Sequence, residues 1–280
     1  MKYKSLYTGE KIAALGLGTW RMGGSMTPDY SNDRGLVEIM QRAIQLGYTH
    51  IDTAEMYGGG HTEELVGRAI SRFARQNLII TSKIWHTNLH YQGVLGAVEG
   101  SLKRLHTDYL DMCLIHWPNI NLPLEESFQA LNELVTQGKV RFVGVSNFDR
   151  TLLEQARIYC RTPLATNQVR YNLYHRKVEQ NGVLEYCQRH GILLTAYTPF
   201  ERGMLLSNPQ VEQIAASHSA SPAQVALAWL IRQPNVITIP MSTNAAHLEH
   251  NLAALDLELS AEDIEQLDAL EMPEEALWPE

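Results

Sequence analysis

Cysteine is scarce in this chain, which contains only Cys113, Cys160 and Cys187 among its 280 residues. The number is odd, the spacing is not that of a metal site, and each cysteine lies in an apolar or helical stretch. We therefore expect reduced core thiols and a cytoplasmic location. The chain also lacks any run of 18 apolar residues, and its N-terminus lacks a long apolar segment, so we expect neither secretion nor membrane spanning.

The chain also has no excess of basic residues. Lysine and arginine number 23 against 31 acidic residues, and the formal net charge is -8, so no overall field attracts nucleic acid or an anionic membrane. No coiled-coil heptads occur, and a monomer is the default expectation. There is no H-E-x-x-H, and His86 and His90 lie in a predicted loop. We therefore expect no metal centre.

Two further absences limit the fold classes and the enzyme classes to which the chain can belong. No G-x-G-x-x-G follows the first predicted strand, and Gly16-Leu17-Gly18 is too short a match, which disfavours a doubly wound dinucleotide-binding sheet. Asp52 is the only clear acidic residue at a predicted strand end. A glycosidase is disfavoured because such an enzyme needs two carboxylates across its site.

Strand and helix patterns alternate along the chain. Residues 2–14 alternate around Thr8-Gly9 and predict a β-hairpin. Eight strands are then predicted at Leu15–Thr19, His50–Asp52, Leu78–Lys83, Tyr109–His116, Val140–Ser146, Ala165–Val169, Leu193–Tyr197 and Val236–Ile239. A helix is predicted after each strand, and Ser260 opens an extra one. No Pro/Ser-rich linker interrupts the series, so we predict one α/β domain over residues 1–280, a (β/α)8 TIM barrel with an N-terminal β-hairpin and an extra C-terminal helix.

Polar side chains collect at the predicted strand ends. They are Asp52, Lys83, His116, Ser146, Gln168 and Tyr197. Because the carboxyl ends of barrel strands form one mouth, we expect these groups to share a site. Tyr57 follows Asp52 by five residues, in a loop that continues with three glycines. Each residue alone has a structural explanation, such as a cap, a salt bridge or a core histidine, but their order on successive strands favours proton chemistry.

Several separated segments of the chain carry a further signal. They are Ile51-Asp52-Thr53-Ala54 with Tyr57, Thr81-Ser82-Lys83, Leu114-Ile115-His116-Trp117-Pro118, Gly144-Val145-Ser146-Asn147-Phe148, Asn167-Gln168, Ala196-Tyr197-Thr198-Pro199 and Ile239-Pro240. Together they resemble the signature segments of one known family, the aldo-keto reductases. The resemblance covers nearly the whole chain. It implies a (β/α)8 barrel that reduces aldehydes and ketones to alcohols with a nicotinamide cofactor, NADPH or NADH.

The resemblance implies roles for four residues at the centre of the site. Tyr57 would be the general acid that protonates the carbonyl oxygen. The Lys83 ammonium would favour the phenolate and lower the pKa of Tyr57, which for a free tyrosine is about 10. Asp52 would hold Lys83 charged and oriented. His116 would donate a hydrogen bond to the carbonyl oxygen and fix its direction.

The resemblance also implies a nucleotide site. Ser146, Asn147 and Gln168 would bind the nicotinamide carboxamide and Tyr197 would stack on its ring, with Thr198 and Phe200 beside them. The adenosine 2'-phosphate would lie near Ser242, Thr243, Asn244, His247 and Asn251. Many members have a lysine directly after Pro240 and often an arginine further along, where this chain has Met241 and His247. NADP is the expected cofactor, and NAD or dual use is the alternative.

Three tryptophans, Trp20, Trp85 and Trp117, each follow a predicted strand end and are candidates for an apolar substrate pocket. Ordinary packing is the other interpretation. Glu55 is expected to face outward, and Trp278 either folds over the mouth or is disordered. An alternative to the enzyme is a nucleotide-binding regulatory subunit of the same fold with little turnover.

Overall fold

A computed structural model describes residues 1–272 of the protein, so Trp278 lies outside the described part of the chain. The strands are β1 (Tyr3–Ser5), β2 (Lys11–Ala13), β3 (Leu17–Gly18), β4 (His50–Asp52), β5 (Ile79–Ile84), β6 (Leu110–Ile115), β7 (Val140–Ser146), β8 (Thr166–Arg170), β9 (Leu193–Tyr197) and β10 (Val236–Thr238). Strands β3 to β10 form one parallel sheet in chain order. Leu15 pairs with Thr238 in a parallel bridge, and the amide of Gly16 donates to the carbonyl of Thr238 at 2.8 Å. These contacts join the first strand to the last, which closes the predicted barrel.

Helices cover the outside of the barrel. They are α1 (Asp33–Leu46), α2 (His61–Ile70), α3 (Tyr91–Leu105), α4 (Leu124–Thr136), α5 (Arg150–Tyr159), α6 (Lys177–Gln180), α7 (Val183–Arg189), α8 (Pro209–Ser217), α9 (Pro222–Arg232), α10 (Ala245–Leu252) and α11 (Ala261–Asp268). Helix α11 is the extra helix predicted from Ser260, whose hydroxyl accepts from the amide of Asp263 in a capping box. Within residues 1–272, no helix has both the length and the apolar character needed to cross a membrane.

Several elements differ from the sequence-based prediction, among them the short helix α6 (Lys177–Gln180), which was not predicted. The first barrel strand is shorter than predicted, because regular pairing covers only Leu17–Gly18. Helix α8 was not predicted. It begins at Pro209, and the side chain of Asn208 accepts hydrogen bonds from the amides of Gln210 and Val211, which satisfies free donors at the helix start.

The N-terminal hairpin determines which end of the barrel is open. Strands β1 and β2 pair antiparallel, and two hairpin residues join the cluster of apolar side chains in the barrel interior. The cluster contains Leu6, Ile12, Ile79, Met112, Leu114, Phe142, Ala165, Leu193 and Ile237. Because Ile12 is fully buried, the amino-terminal end of the barrel is closed by packed side chains. The carboxyl ends of the strands are left for a site.

Candidate active site

A cavity of about 740 Å³ opens at the carboxyl ends of the barrel strands. It is lined by Gly18, Thr19, Trp20, Arg21, Asp52, Met56, Tyr57, Trp85, His116, Trp117, Ser146, Asn147, Gln168, Tyr197, Thr198, Pro199, Phe200, Arg202, Gly203, Ile239 and Met241. The cavity therefore brings together most of the residues that the sequence placed at strand ends. Lys83 is fully buried behind the wall and contacts the cavity through Tyr57.

Lys83 and Asp52 form a buried ion pair at the base of this cavity. The ammonium donates to Asp52 Oδ1 at 2.5 Å, to the carbonyl oxygen of Thr53 at 2.9 Å and to Tyr57 Oη at 3.1 Å. Gln168 Nε2 donates to the second carboxylate oxygen, Asp52 Oδ2, at 2.7 Å. All three ammonium protons and both carboxylate oxygens thus have partners, which a buried pair requires.

Tyr57 is held in the wall by the turn that follows it. Gly58 and Gly59 have φ angles of 57° and 60°, in the left-handed region that favours glycine. The amide of Gly58 donates to the carbonyl of Ser25 at 2.7 Å, and a Cβ on Gly58 would lie 2.6 Å from the carbonyl oxygen of Gly23. The phenol ring contacts the indole of Trp20 at a centroid distance of 4.8 Å. The loop after β4, which contains Tyr57, and the loop after β3, which contains Trp20 and Ser25, therefore fix the position of its hydroxyl.

Opposing effects act on the pKa values of Tyr57 and Lys83. Burial raises the pKa of the Tyr57 phenol, and the Lys83 ammonium offsets only part of this effect. The lowering by Lys83 is the one that the sequence analysis expected, but the net direction is upward. Burial acts to lower the pKa of Lys83, yet the Asp52 carboxylate and the Tyr57 hydroxyl together outweigh it, so that the pKa lies above its usual value. At neutral pH the site holds a neutral phenol beside a charged ammonium.

His116 is a neutral imidazole at the edge of the same group. Burial, and secondly the charge of Lys83, lowers the pKa of His116 to about 2. Its Nδ1 is buried and has no hydrogen-bond partner within residues 1–272, so we assign its single proton to Nε2, the nitrogen left to meet a ligand. The ring stands edge-on to Tyr57 at 5.8 Å and to Trp85 at 5.3 Å.

A second wall of the cavity is made by the ends of β7, β8 and β9. Tyr197 Oη donates to Asn147 Oδ1 at 2.9 Å, and Asn147 Nδ2 donates to the carbonyl oxygen of His116 at 3.1 Å. Ser146 Oγ donates to the carbonyl oxygen of Gln168 at 2.8 Å. Asn147 has a φ of 62°, a conformation that asparagine tolerates better than most residues. The wall is therefore a fixed hydrogen-bonded unit.

The turn after β9 contains contacts that the sequence analysis missed. Glu201 is fully buried; its carboxylate accepts from Arg170 Nη2 at 2.5 Å and from Asn172 Nδ2 at 2.7 Å. These bonds fix the turn that places Thr198 and Phe200 at the cavity. Arg21 and Arg202, also missed, bring two cations to the lining. The available signal was their position just after predicted strands.

The predicted phosphate residues lie on a different part of the surface. None of Ser242, Thr243, Asn244, His247 and Asn251 lines the cavity, although the adjacent Met241 does. Asn244 Oδ1 accepts from the amide of Ala246 at 2.9 Å and caps α10, and Ser242 Oγ accepts from the amide of Asn244 at 3.1 Å. Asn251 is buried on α10. The segment continues outward from the cavity beyond Met241.

All three predicted tryptophans line the cavity. Trp20 contacts Tyr57, Trp85 contacts His116, and Trp117 is 43% exposed at the rim. Contrary to the expectation from the sequence, Glu55 does not face outward. Its carboxylate is largely withdrawn from solvent and accepts from the backbone amide of Trp85 and from Asn88 Nδ2.

Comparisons with known proteins show the family to which the chain belongs. The sequence model of the aldo/keto reductase family matches residues 14–272. Methylglyoxal reductase YeaE of Escherichia coli (strain K12) is 39% identical over 263 residues, covering 92% of this chain and 90% of that protein.

Two solved structures extend the likeness to the whole fold. The crystal structure of a thermostable aldo-keto reductase, Tm1743, in complex with the inhibitor epalrestat superposes with a TM-score of 0.94 at 51% identity, covering 96% of this chain and 99% of that chain. An aldo/keto reductase from Klebsiella pneumoniae in complex with NADP and acetate gives a TM-score of 0.87 at 38% identity, covering 95% and 94%. The chain belongs to the aldo/keto reductase family.

Proposed function

We propose that the protein reduces aldehydes and small ketones to alcohols with NADPH, using Tyr57 as the proton donor. The observation that carries the proposal is the position of the Lys83 ammonium, which donates both to Asp52 Oδ1 at 2.5 Å and to Tyr57 Oη at 3.1 Å. That arrangement connects a buried ion pair to a phenol that lines the cavity. Methylglyoxal reductase among the relatives supports reduction of reactive aldehydes.

Reduction adds a hydride to the carbonyl carbon and a proton to the carbonyl oxygen. When bound, NADPH supplies the hydride. Tyr57 supplies the proton, because its raised pKa keeps the phenol protonated at neutral pH. The Lys83 ammonium stabilises the negative charge that forms on Tyr57 Oη as the proton leaves. Such a positioned acid typically contributes about 10²- to 10⁴-fold in rate.

His116 orients the substrate. With its pKa lowered to about 2, the imidazole stays neutral and its Nε2–H donates to the carbonyl oxygen. Because its ring contacts the ring of Tyr57 and its backbone carbonyl accepts a hydrogen bond from Asn147, the donor points at the oxygen before the reaction begins. A preorganised donor of this type typically stabilises a transition state by about 3 to 4 kcal/mol.

The second wall has groups that fit a nicotinamide. Gln168 uses Nε2 on Asp52, while within residues 1–272 its Oε1 takes part in no hydrogen bond, so it remains to accept from the carboxamide. The ring of Tyr197 is fixed by its bond to Asn147 and offers a flat face for stacking. Asn147 holds Tyr197 through Oδ1 and donates from Nδ2 to the carbonyl oxygen of His116, and the second lone pair of Oδ1 is left to accept from the carboxamide.

The phosphates of the nucleotide have two sets of candidate partners. Arg21 and Arg202 line the cavity and provide cations for the diphosphate. For the 2'-phosphate, Ser242, Thr243 and the start of α10 offer neutral donors, while Met241 supplies no charge.

We infer a preference for NADPH that is weaker than in relatives with a lysine after the proline. A preference of about a thousandfold or more in dissociation constants for NADPH over NADH, roughly 4 kcal/mol, contradicts this inference.

The substrate half of the cavity is apolar. Trp20, Trp85, Trp117 and Met56 line it around the Tyr57 hydroxyl, and the rim is open enough to leave Trp117 43% exposed. Burial of an apolar group against such a wall stabilises binding by about 25 cal/mol per Å². Aromatic aldehydes are therefore accepted together with small dicarbonyls such as methylglyoxal.

The test is turnover by the purified protein. Methylglyoxal and 4-nitrobenzaldehyde are each mixed with the protein and NADPH, and the loss of NADPH absorbance is followed. We expect turnover of both aldehydes. Tight binding of NADPH without turnover of either aldehyde would instead indicate a nucleotide-binding regulatory subunit and would refute the proposed enzyme.

A further inference from the structure

Glu55 connects the loop that contains the proton donor to the next connection around the barrel. It lies between Asp52 and Tyr57 in sequence, and its backbone amide donates to the carbonyl oxygen of Lys83 at 3.3 Å. Its Oε1 accepts from the backbone amide of Trp85 and from Asn88 Nδ2, the latter at 2.9 Å. One carboxylate thus fixes both ends of residues 85–88, which we call the Trp85 segment.

The Trp85 segment forms part of the substrate wall. The indole of Trp85 lines the cavity and stands edge-on to the imidazole of His116 at 5.3 Å and 77°. On its other side, Asn119 Nδ2 donates to the carbonyl oxygen of His86 at 2.9 Å. Loss of the Glu55 carboxylate would leave the Trp85 amide and the Asn88 side chain without these partners.

The carboxylate is held in a position that is unfavourable for it without those donors. Burial raises the pKa of Glu55, and the bonds from Trp85 and Asn88 act in the opposite direction. A charge withdrawn from water in this way is normally retained by the donors around it. The contact is therefore a specific link between two loops and not an incidental surface contact.

We propose that Glu55 is a specificity-determining residue, which fixes the Trp85 indole in the cavity wall and so favours aldehydes that carry an aromatic ring. The inference rests on the carbonyl reductase activity proposed above. Glu55 acts through Trp85, and it is a positioning residue. A short dicarbonyl needs only the Tyr57 hydroxyl and the His116 imidazole, whereas an aromatic aldehyde also needs a wall that stays in place.

The experiment compares two substrates in three variants. In Glu55→Ala we expect kcat/KM for 4-nitrobenzaldehyde to fall by about tenfold or more, mainly through KM, since a hydrogen bond to a charged group is lost. For methylglyoxal we expect a change of less than about threefold, because its reaction does not use the wall. In Glu55→Gln the side-chain carbonyl still accepts from the Trp85 amide, and we expect most of the selectivity to return.

Glu126→Ala is the matched control. Glu126 lies on α4, and its carboxylate accepts from the backbone amide of Tyr91, the first residue of α3, at 3.4 Å, beyond the Trp85 segment. We expect wild-type selectivity in this variant. A second readout needs no turnover: hydrogen exchange of the peptide that contains the Trp85 amide should be faster in Glu55→Ala than in the wild type and in Glu126→Ala.

Three results would overturn the inference. They are unchanged selectivity in a folded Glu55→Ala, an equal loss for both aldehydes, or the same loss in Glu126→Ala. Absence of turnover by the wild-type protein would overturn the proposed function together with this inference. Turnover of both aldehydes with selectivity that does not depend on Glu55 would overturn this inference alone.

Discussion

Replacement of Lys83 by methionine tests how the central ion pair connects stability to activity. Methionine keeps an unbranched, buried side chain but removes the ammonium. Three hydrogen bonds are lost, to Asp52, Thr53 and Tyr57. Among residues 1–272, the Asp52 carboxylate then keeps only the bond from Gln168 at 2.7 Å on its other oxygen, with its side chain 2% exposed.

The size of the effect follows from this geometry. At the observed separation of 2.5 Å and an effective dielectric constant of about 20, the attraction between the charges is about 7 kcal/mol. Much of it compensates for the removal of both ions from water, so we expect Lys83→Met to lower the free energy of unfolding by about 3 to 5 kcal/mol. Asp52→Asn combined with Lys83→Met removes both charges, and its loss should be smaller than the sum of the two single losses.

The same change should slow the reaction. Without the ammonium, the phenolate of Tyr57 loses its stabilising charge and the pKa of Tyr57 rises further above its usual value. We expect kcat for 4-nitrobenzaldehyde to fall by about 10²-fold or more.

Urea unfolding of the wild type, the two single variants and the double variant gives the coupling energy, and steady-state kinetics with NADPH gives the activity. A loss of stability below about 1 kcal/mol together with a loss of kcat below about tenfold would refute this account of Lys83.

Three further predictions concern other parts of the molecule. Burial lowers the pKa of His50 from 6.5 to about 4, so the unfolded chain takes up a proton at His50 as pH falls below 6.5, while the folded protein does not. The wild-type protein therefore loses unfolding free energy between pH 7 and pH 5. His50→Gln should reduce this loss by about 2 kcal/mol, measured by urea unfolding at both pH values. Met241→Lys should tighten NADPH relative to NADH by about tenfold through a new charged contact to the 2'-phosphate, and an unchanged ratio of dissociation constants would place that phosphate elsewhere. Glu201→Ala leaves Arg170 without its buried partner, and we expect thermal unfolding to show about 3 kcal/mol less stability. Because the turn that lines the cavity is released, we also expect calorimetry to show weaker binding of NADPH.

The barrel and the centre of the site were predictable from the sequence. Polar residues at the ends of successive apolar strands must meet at one mouth once the strands are parallel. This rule placed Asp52, Lys83 and His116 together, and the cavity and the hydrogen bonds around Lys83 agree with it.

The parts that the sequence did not predict depend on contacts between distant segments. The pairing of Arg170 with Glu201 and the contact of Glu55 with Trp85 join residues about 30 positions apart, and no local pattern marks either. The net direction of the pKa of Tyr57 was also not predictable, because it depends on how far burial outweighs Lys83. Helix α8 was not predicted because its buried apolar stripe is short, with only Val211, Ile214 and Ala215.

Tyr57→Phe tests the central claim most directly, because it removes one hydroxyl and keeps the ring that contacts Trp20 at 4.8 Å. The variant is assayed beside the wild type with 4-nitrobenzaldehyde, and its dissociation constant for NADPH is measured by fluorescence. We predict that kcat falls by about 10²- to 10⁴-fold while NADPH binding changes by less than about threefold. Retention of kcat within about tenfold of the wild type, with NADPH still bound, would contradict proton donation by Tyr57.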